Sequence, residues 1–470
     1  MSLFANAKIL VGDVTARLAD LPSDHFHCVV TSPPYWSLRD YGTASWEGGD
    51  ATCDHKQETR HQSQGANSQR AGRSNAEAQK NENFRDACGR CGARRIDQQI
   101  GLEPTPDQYV ARMVEVFREV RRVLREDGVL FLNLGDVYAH AGACGGGSPL
   151  SNPTDGRIGD QSPRGRSDDR VAQTKTGGTL TPGLKPKDLV GIPWRVAFAL
   201  QADGWWLRSD IIWHKPNPMP ESVTDRPTKA HEYIFLMTKS ARYFYDAEAV
   251  KEELSPTASY GGTYQTAHKY EQMGIGKGQS FQPGRQILPD PSGRNLRTVW
   301  TIPTQPYSGA HFATYPEELV RRCIRAGTSE RGCCAECGKP WERIVDKPKP
   351  PRDVYTHRNA PEDGMVHSGS VVDGDWVGHG QKLQNWINEN PSRTIGWEPG
   401  CKCGAATVPC RVLDPFAGSC TTLVVALDHG CDATGIELNP KYVELAKRRL
   451  VVPVEVIADP SPRTASGSSA

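Results

Sequence analysis

The sequence contains no apolar run of the roughly 20 residues that a membrane-spanning helix needs. Its first residues also lack the basic start and apolar run of a secretory signal. We therefore expect a cytoplasmic protein without a membrane partner. The formal net charge is only +1, so any nucleic-acid surface must come from local basic patches and not from the charge of the whole chain.

Hydrophobic residues make up only 37% of the 470 residues, and the chain also contains 46 Gly and 35 Pro. This composition predicts a folded core that is interrupted by long polar loops. The 14 cysteines, in a chain without a visible secretion signal, argue against a disulfide framework. Clustered thiols in a reducing compartment are better explained as metal ligands.

Short apolar segments alternate with helical patterns along much of the chain. This alternation predicts an α/β protein with a doubly wound, mostly parallel sheet and large insertions. The helix that starts at Thr105-Pro106 is expected to run to residue 126, with Gly128 ending it. Strands are predicted over 7–13, 25–31, 129–136, 205–213, 231–239, 411–416 and 433–438, and helices over 105–126, 188–202, 316–326, 420–430 and 440–450.

A turn of small residues joins the strand over 411–416 to the next helix. Backbone amides in such a turn can approach a ligand closely, and α/β proteins bind nucleotides at the carboxyl ends of their parallel strands. About 20 residues further on, Glu437 ends the next strand, where a carboxylate can accept both ribose hydroxyls. An ordinary tight connection is the alternative. The expected cofactor-binding residues of the turn are Asp414, Pro415, Phe416, Ala417, Gly418 and Ser419.

Three segments together, TSPPYW from Thr31, DPFAGS-x-TT from Asp414 and GIELNP from Gly435, resemble the amino-methylating DNA methyltransferases. The Pro-Pro-Tyr segment comes first and the cofactor segment last, as in the β class of that family. The resemblance implies a Rossmann-like methyltransferase sheet, S-adenosyl-L-methionine as cofactor and double-stranded DNA as substrate. By itself, TSPPYW could equally form a rigid turn capped by aromatic rings.

The resemblance also implies a role for each catalytic residue. An exocyclic amine is a poor nucleophile until its N–H groups are hydrogen-bonded, which the Ser32 hydroxyl and the Pro33 carbonyl can do. Pro34 has no N–H that would compete. Tyr35 can stack on a base flipped out of the duplex, and Trp36 can extend that aromatic wall. No covalent intermediate is needed.

Further positions follow from the same resemblance. Asp13 matches the acidic residue that meets the cofactor's adenine, although it could equally cap the helix after it. The segment 311–316, with Phe312 and Thr314, resembles the one that holds the cofactor's methionine part. Trp213 and Lys215 are assigned to the base pocket, with Lys215 near a phosphate.

The family usually has glycine where this chain has Cys420. We expect Cys420 to be the first helical residue, where no positive φ is required. Within the family, serine before Pro-Pro-Tyr usually accompanies cytosine N4, so cytosine is favoured and adenine N6 is the alternative. A non-catalytic zinc-bearing DNA-binding protein, which Cys420 would favour, and an RNA or protein amino-methyltransferase are alternatives of other classes.

Close cysteine pairs suggest structural zinc, because two pairs supply the four ligands of a tetrahedral site. One set lies beyond residue 330, with Cys333 and Cys410 as spare ligands. A second possible set lies in the first insertion, and reduced thiols without metal are the alternative for both. The first set is Cys334, Cys337, Cys401 and Cys403, and the second is Cys53, His55, Cys88 and Cys91.

These assignments divide the chain into a catalytic domain of two halves, two insertions, a recognition region and a tail. The catalytic domain has a target-base half over 1–40 and 101–250 and a cofactor half over 299–326 and 411–452. Residues 41–100 and 327–410 are the two cysteine-bearing insertions, 251–298 is the expected DNA-recognition region, and 453–470 is expected to be a disordered tail. The resemblance further implies a bacterial or phage enzyme at the nucleoid, a homodimer and a cognate restriction endonuclease.

Overall fold

The computed structural model describes residues 5–37, 43, 45–50, 52–55, 87–139, 183–253, 291–305, 314–351, 385–450 and 452–458. Within these ranges no helix is long and apolar enough to cross a membrane. The chain divides into two compact units. The sheet unit comprises Ser2–Tyr243, Val299–Ile324 and Arg411–Ala470, and the second unit comprises Met1, Phe244–Thr298 and Arg325–Cys410.

The sheet unit contains alternating strands and helices. Its first part holds β1 (Ala7–Val11), α1 (Val14–Ala19), β2 (Phe26–Thr31), β3 (Ser45–Glu47), β4 (Arg94–Ile96), α2 (Pro106–Val123), β5 (Leu124–Leu134), α3 (Ile192–Ala202), β6 (Trp206–His214), β7 (His231–Thr238) and β8 (Val299–Thr301). The helix α4 (Glu317–Gly327) follows in the chain. In the second unit lie β9 (Cys333–Cys334), β10 (Trp341–Asp346), β11 (Arg393–Pro399) and β12 (Thr407–Val408). The sheet unit then ends with β13 (Arg411–Asp414), α5 (Thr421–Asp428), β14 (Asp432–Glu437), α6 (Pro440–Arg449) and β15 (Val454–Ile457).

The central sheet has nine strands in the order β15-β1-β14-β13-β2-β5-β7-β6-β8. Its pairs are parallel except those of β7, which is antiparallel to both β5 and β6. All six residues of β2 are buried, as expected for a parallel strand that is covered on both faces. The predicted doubly wound, mostly parallel α/β sheet is therefore confirmed.

Helix α2 begins as predicted but ends earlier. The Thr105 side chain accepts a hydrogen bond from the Gln108 N–H, and Pro106 occupies the first turn. The predicted end at residue 126 is wrong, because Leu124 already has extended backbone, is fully buried and pairs with Phe26 of β2. Gly128 lies inside β5, where a Cβ would come within 2.7 Å of the Leu124 side chain.

The prediction of a disordered tail over 453–470 is wrong for its first residues. Val454–Ile457 form the edge strand β15, which pairs in parallel with β1. A segment with Val454, Val456 and Ile457 carries the β-branched residues that suit a pleated surface, and β1 offers it a free edge. Residues 459–470 lie outside the described residues.

The second unit contains two small antiparallel sheets. Strand β9 pairs with β12, and β10 pairs with β11. The predicted insertion 327–410 falls within this unit. Most of the expected recognition region lies outside the described residues, as does 140–182.

Candidate functional site

The two most distinctive segments of the chain meet at the carboxyl ends of neighbouring parallel strands. Strand β13 pairs with β2 so that Leu413 lies opposite Val29. The Thr31 hydroxyl, at the end of β2, donates to Asp414 Oδ1 over 2.7 Å, although 383 positions separate the two residues. Because Ser32 follows Thr31 and the glycine turn follows Asp414, the predicted base site and the predicted cofactor turn both begin beside this hydrogen bond.

Asp414 is the fully buried centre of a hydrogen-bond network. Its Oδ2 accepts from the hydroxyls of Tyr315 and Thr422, each over 2.8 Å, and its Oδ1 also accepts from the Phe416 N–H over 3.1 Å. Burial raises the pKa of Asp414 and also that of Tyr315, which keeps the Tyr315 phenol a donor. Asp414 therefore fixes the start of the turn through its neighbours, a role that the sequence did not indicate.

Glu437 ends β14 beside the same turn. Its Oε2 accepts from the Gly418 N–H over 2.8 Å, and its Oε1 accepts from the Asn439 N–H over 2.7 Å. Burial raises the pKa of Glu437 to about 7, even though these N–H donors lower it. A carboxylate at a strand end with adjacent backbone donors has the chemistry required to bind the hydroxyls of a ribose.

Cys420 does not have the expected conformation. It is the N-cap of α5, with φ of 60° and ψ of 33°, and is not the first helical residue. The prediction that no positive φ is needed is therefore wrong, because Thr421 begins the helix and the chain must turn sharply before it. A left-handed backbone costs a residue with a Cβ about 1–2 kcal/mol. Cys420 is fully buried, so its side chain packs in the interior while its backbone bears this strain.

The residues after β2 form a second polar network. The Ser32 hydroxyl donates to the Tyr35 hydroxyl over 3.2 Å, and the Tyr35 hydroxyl lies 2.8 Å from Glu232 Oε2 and 3.1 Å from Asn133 Oδ1. Burial, followed by the nearby Glu232 charge, raises the pKa of Tyr35, so the phenol stays protonated. Three partners therefore fix the ring of Tyr35 at the end of β2.

Sequence reasoning missed Asn133, Gly135 and Glu232. Asn133 lies at the end of β5, the strand next to β2, and Gly135 directly follows it; a Cβ at Gly135 would lie 2.5 Å from the Tyr35 ring. Their position at the end of a strongly apolar run was the available signal, because neighbouring strand ends share one edge of a sheet. Glu232 comes from β7, whose antiparallel pairing with β5 was not predictable from its sequence.

The other residues predicted for the base pocket bind groups of the protein itself. Trp36 is 5% exposed and donates to the Glu103 carbonyl over 2.8 Å, and Trp213 is 3% exposed and donates to the Ile302 carbonyl over 2.8 Å. Lys215 Nζ lies 2.5 Å from a Glu232 oxygen. The structure thus shows packing and ion pairing at these positions, and contact with a base or a phosphate stays a prediction.

Among the remaining cofactor positions, Asp13 is the N-cap of α1. Its carboxylate accepts from the N–H groups of Thr15 and Ala16, each over 3.0 Å. Both N–H groups bind Oδ1, and Oδ2 lies 3.5 Å from Arg112 Nη2, so contact with adenine stays a prediction. Thr314 is half-buried one residue before Tyr315, and Phe312 lies outside the described residues.

The predicted cysteine sets are both assembled. Within each set, every ligand atom lies within 4.8 Å of the others. One set, Cys53, His55, Cys88 and Cys91, is in the sheet unit, and the other, Cys334, Cys337, Cys401 and Cys403, is in the second unit. None of these cysteines is in a disulfide. Each set therefore offers four candidate ligands for a closed tetrahedral site.

Comparison with known proteins places these features in a family. A family model described as DNA methylase, of the N6 and N4 type, matches residues 26–335 and 411–448. The unmatched stretch between these two segments, 336–410, includes Cys337, Cys401 and Cys403 of the first cysteine set.

Curated relatives match nearly the whole chain. The Type II methyltransferase M.Cfr9I of Citrobacter freundii is 34% identical, with 94% of this chain and 87% of that protein covered. M.XycI of Xanthomonas campestris pv. cyanopsidis is 33% identical over 95% of this chain and 89% of its own length. M.SmaI of Serratia marcescens is 32% identical, with coverage of 95% and 91%.

Replacement of Cys420 should reveal the backbone strain. We expect the free energy of unfolding of Cys420→Gly to be about 1 kcal/mol higher than that of Cys420→Ala. Both variants lose the thiol, but only glycine relieves the strain of the positive φ. Urea denaturation measures the difference. At the buried Cys431, which has no positive φ, the order should reverse. An alanine variant at 420 as stable as the glycine variant would contradict the expectation.

A methyl group at Gly135 should disturb Tyr35. We expect Gly135→Ala to lower the free energy of unfolding by about 1–3 kcal/mol, because the added Cβ overlaps a ring that is held by three hydrogen bonds. The same substitution in a Tyr35→Ala background should cost much less, since the ring is gone. Equal costs in the two backgrounds, measured as a double-mutant cycle, would show that the contact is unimportant.

Proposed function

The chain belongs to the DNA methylase family of N6 and N4 methyltransferases, and from that premise we propose that it methylates an exocyclic amino group of a base in double-stranded DNA, cytosine N4 in preference to adenine N6. The observation that carries this proposal is the 2.7 Å hydrogen bond between Thr31 and Asp414. It joins the start of the Ser-Pro-Pro-Tyr segment to the start of the glycine turn, so a methyl donor and an amine can face each other.

S-adenosyl-L-methionine is the methyl donor that we assign to the glycine turn, and when bound it supplies an electrophilic methyl group. The fit rests on the chemistry of the groups present. Glu437 offers a half-buried carboxylate, oriented by the Gly418 N–H, for the ribose hydroxyls, and the turn of small residues after β13 lets a ligand approach the backbone closely. Asp13 for the adenine and the segment with Phe312 and Thr314 for the methionine part complete the proposed set.

The polar network after β2 prepares Ser32 to accept a hydrogen bond from the target amine. Tyr35 stays a neutral phenol and donates to Glu232, while Ser32 donates to Tyr35. With its own proton engaged, the Ser32 oxygen presents lone pairs to the amine N–H, and the chain of hydrogen bonds polarises it further. The Pro33 carbonyl accepts the second N–H, so the nitrogen lone pair is released from conjugation with the ring.

Glu232 acts here as a positioning residue. It accepts from Tyr35 and from the Asn133 amide, and it forms an ion pair with Lys215. Three donors fix the position of this carboxylate, which in turn holds the phenol in one orientation. Tyr35 can then offer its ring face to a base that has left the duplex, since stacking requires a rigid ring.

The preference for cytosine rests on Ser32. A serine hydroxyl is a weaker acceptor than the carboxylate or amide that usually precedes Pro-Pro-Tyr in adenine enzymes. Transfer to RNA or to a protein amide stays an alternative for the same site. The strained Cys420 beside the cofactor turn is the observation that would favour a non-catalytic DNA-binding protein.

We also propose a structural zinc ion at the set of the second unit, Cys334, Cys337, Cys401 and Cys403. The Gly338 N–H donates to the Cys334 carbonyl over 2.9 Å, which closes a tight turn between the first two ligands. Gly338 and Gly404, directly after each pair, both have φ of 69°. Four protein ligands leave no open position, so such a metal supports the fold and not the reaction. A homodimer, a recognition role for 251–298 and a cognate endonuclease stay predictions.

Nucleoside analysis of methylated DNA tests the proposed reaction. Duplex DNA incubated with the protein and labelled S-adenosyl-L-methionine should yield N4-methylcytosine, and RNA or protein should take up no label. Ser32→Ala should lower kcat by about 10²–10³, since one preorganised acceptor is lost, whereas the distant Ser209→Ala should not. N6-methyladenine as the product would reject the cytosine preference, and absence of transfer to any substrate would favour the non-catalytic alternative.

Cofactor affinity should depend on pH through Glu437. Two ribose hydroxyls favour the carboxylate, so binding should release a proton when the free group has a pKa of about 7. Affinity should then fall about tenfold between pH 8 and pH 6, as the carboxyl becomes protonated in the free protein. Calorimetry on wild type and Glu437→Gln, which should bind weakly without this pH dependence, isolates the effect. Identical pH profiles for the two proteins would exclude it.

A further inference from the structure

The cysteine set in the sheet unit has the dimensions of a metal site. Cys53 Sγ and Cys88 Sγ are 3.7 Å apart, and Cys91 Sγ lies 3.5 Å from His55 Nδ1. A tetrahedral zinc with Zn–S bonds of about 2.3 Å and a Zn–N bond of about 2.0–2.1 Å separates its ligands by about 3.8 Å and 3.6 Å respectively. A disulfide would bring two sulfurs to about 2.05 Å.

The backbone around this set is shaped for close approach of its ligands. Cys88 and Cys91 belong to a tight turn in which the Gly92 N–H donates to the Cys88 carbonyl over 2.8 Å. Gly49 has φ of 71°, and a Cβ there would lie 2.8 Å from Cys91 Sγ. The His55 ring stacks on Trp46, with ring centroids 4.6 Å apart. Two glycines and an aromatic ring thus enclose the four ligands.

The same insertion is attached to the catalytic loop, which we define as residues 32–37. It leaves the sheet after this loop and returns through the segment 97–103, which is joined to the metal ligands by the β3–β4 ladder. The Gly101 carbonyl accepts from the Ser37 N–H over 2.8 Å, and the Glu103 carbonyl accepts from the Trp36 indole.

Gly101 also shows how closely this return segment lies against the loop. Its φ is 100°, and a Cβ there would come within 2.9 Å of the Tyr35 carbonyl. The return segment therefore lies directly against the backbone of Tyr35.

We propose that Cys53, His55, Cys88 and Cys91 bind a structural Zn²⁺ that clamps the catalytic loop. The ion closes the insertion at its base, and the closed insertion holds the segment 97–103 against residues 34–37. Removal of the metal releases that segment, so Tyr35 and Ser32 lose their alignment while the cofactor turn, which β13 and β14 build, stays intact. The effect on catalysis rests on the proposed methyltransferase function; the metal site and its structural effect do not.

Metal content and hydrogen exchange of the full-length chain test the clamp. Wild type should contain two zinc ions per chain, and Cys88→Ser and Cys401→Ser should each contain one. In Cys88→Ser, amide exchange over 32–37 and 97–103 should accelerate and kcat should fall on the order of tenfold to 100-fold, as for a misplaced reacting group. In the matched Cys401→Ser, exchange over these residues and kcat should match wild type.

Two further variants keep the test decisive. His55→Cys should retain the metal and wild-type exchange. In the Cys401→Ser background, which leaves one metal site, its Co²⁺-substituted form should show the absorption of four thiolates in place of three with one imidazole. If Cys88→Ser does not fold, His55→Ala replaces it. Affinity for S-adenosyl-L-methionine should change less than twofold in the variant used, which separates the clamp from general unfolding.

Two results would overturn the proposal: unchanged zinc in Cys88→Ser or His55→Ala, or loss of zinc with unchanged exchange over 32–37. A wild-type chain that bears two zinc ions but transfers no methyl group would reject the proposed function and leave the clamp standing.

Discussion

The parallel pairing of β2 with β13 is the constraint on which the candidate site depends. It brings Thr31 and Asp414 into hydrogen-bond contact, and it does so inside a fully buried part of the sheet. A buried carboxylate without partners would be costly, so the three hydroxyls and one N–H around Asp414 also specify the register of the two strands. The base site and the cofactor turn both leave the sheet from this point, and neither could be moved without breaking the network.

Hydrogen bonds of Tyr35 connect the site to β5 and β7, the next two strands of the sheet. Glu232 reaches the site only because β7 runs antiparallel to β5, which places the start of β7 beside the end of β5. Its carboxylate links Tyr35, Asn133 and Lys215, so the proposed catalytic serine is oriented by residues from three different strands and loops. The Ser32 side chain itself is small, and its orientation comes from Tyr35 and, through Tyr35, from Glu232 and Asn133.

No described residue of either insertion belongs to the central sheet, yet the first insertion leads into the segment 97–103, which is hydrogen-bonded to the loop after β2. The proposed zinc site in the sheet unit would close this insertion, and the segment 97–103 that follows it lies against the backbone of Tyr35. A metal ion is an economical way to order a polar insertion, because such an insertion buries too little apolar surface to order itself. The first cysteine set, Cys334, Cys337, Cys401 and Cys403, has an equivalent arrangement within the second unit.

The sequence alone determined the fold class, most strands and helices, the two converging motifs and both cysteine sets, because hydrophobic period, turn residues and ligand spacing are local properties. Tertiary structure decided the rest. Leu124 left the helix because β2 offered it a partner, Val454–Ile457 became a strand because β1 had a free edge, and Cys420 took a positive φ because the turn before α5 required it. Asn133, Gly135 and Glu232 belong to the site only through the strand order, and no local pattern encodes which strands become neighbours.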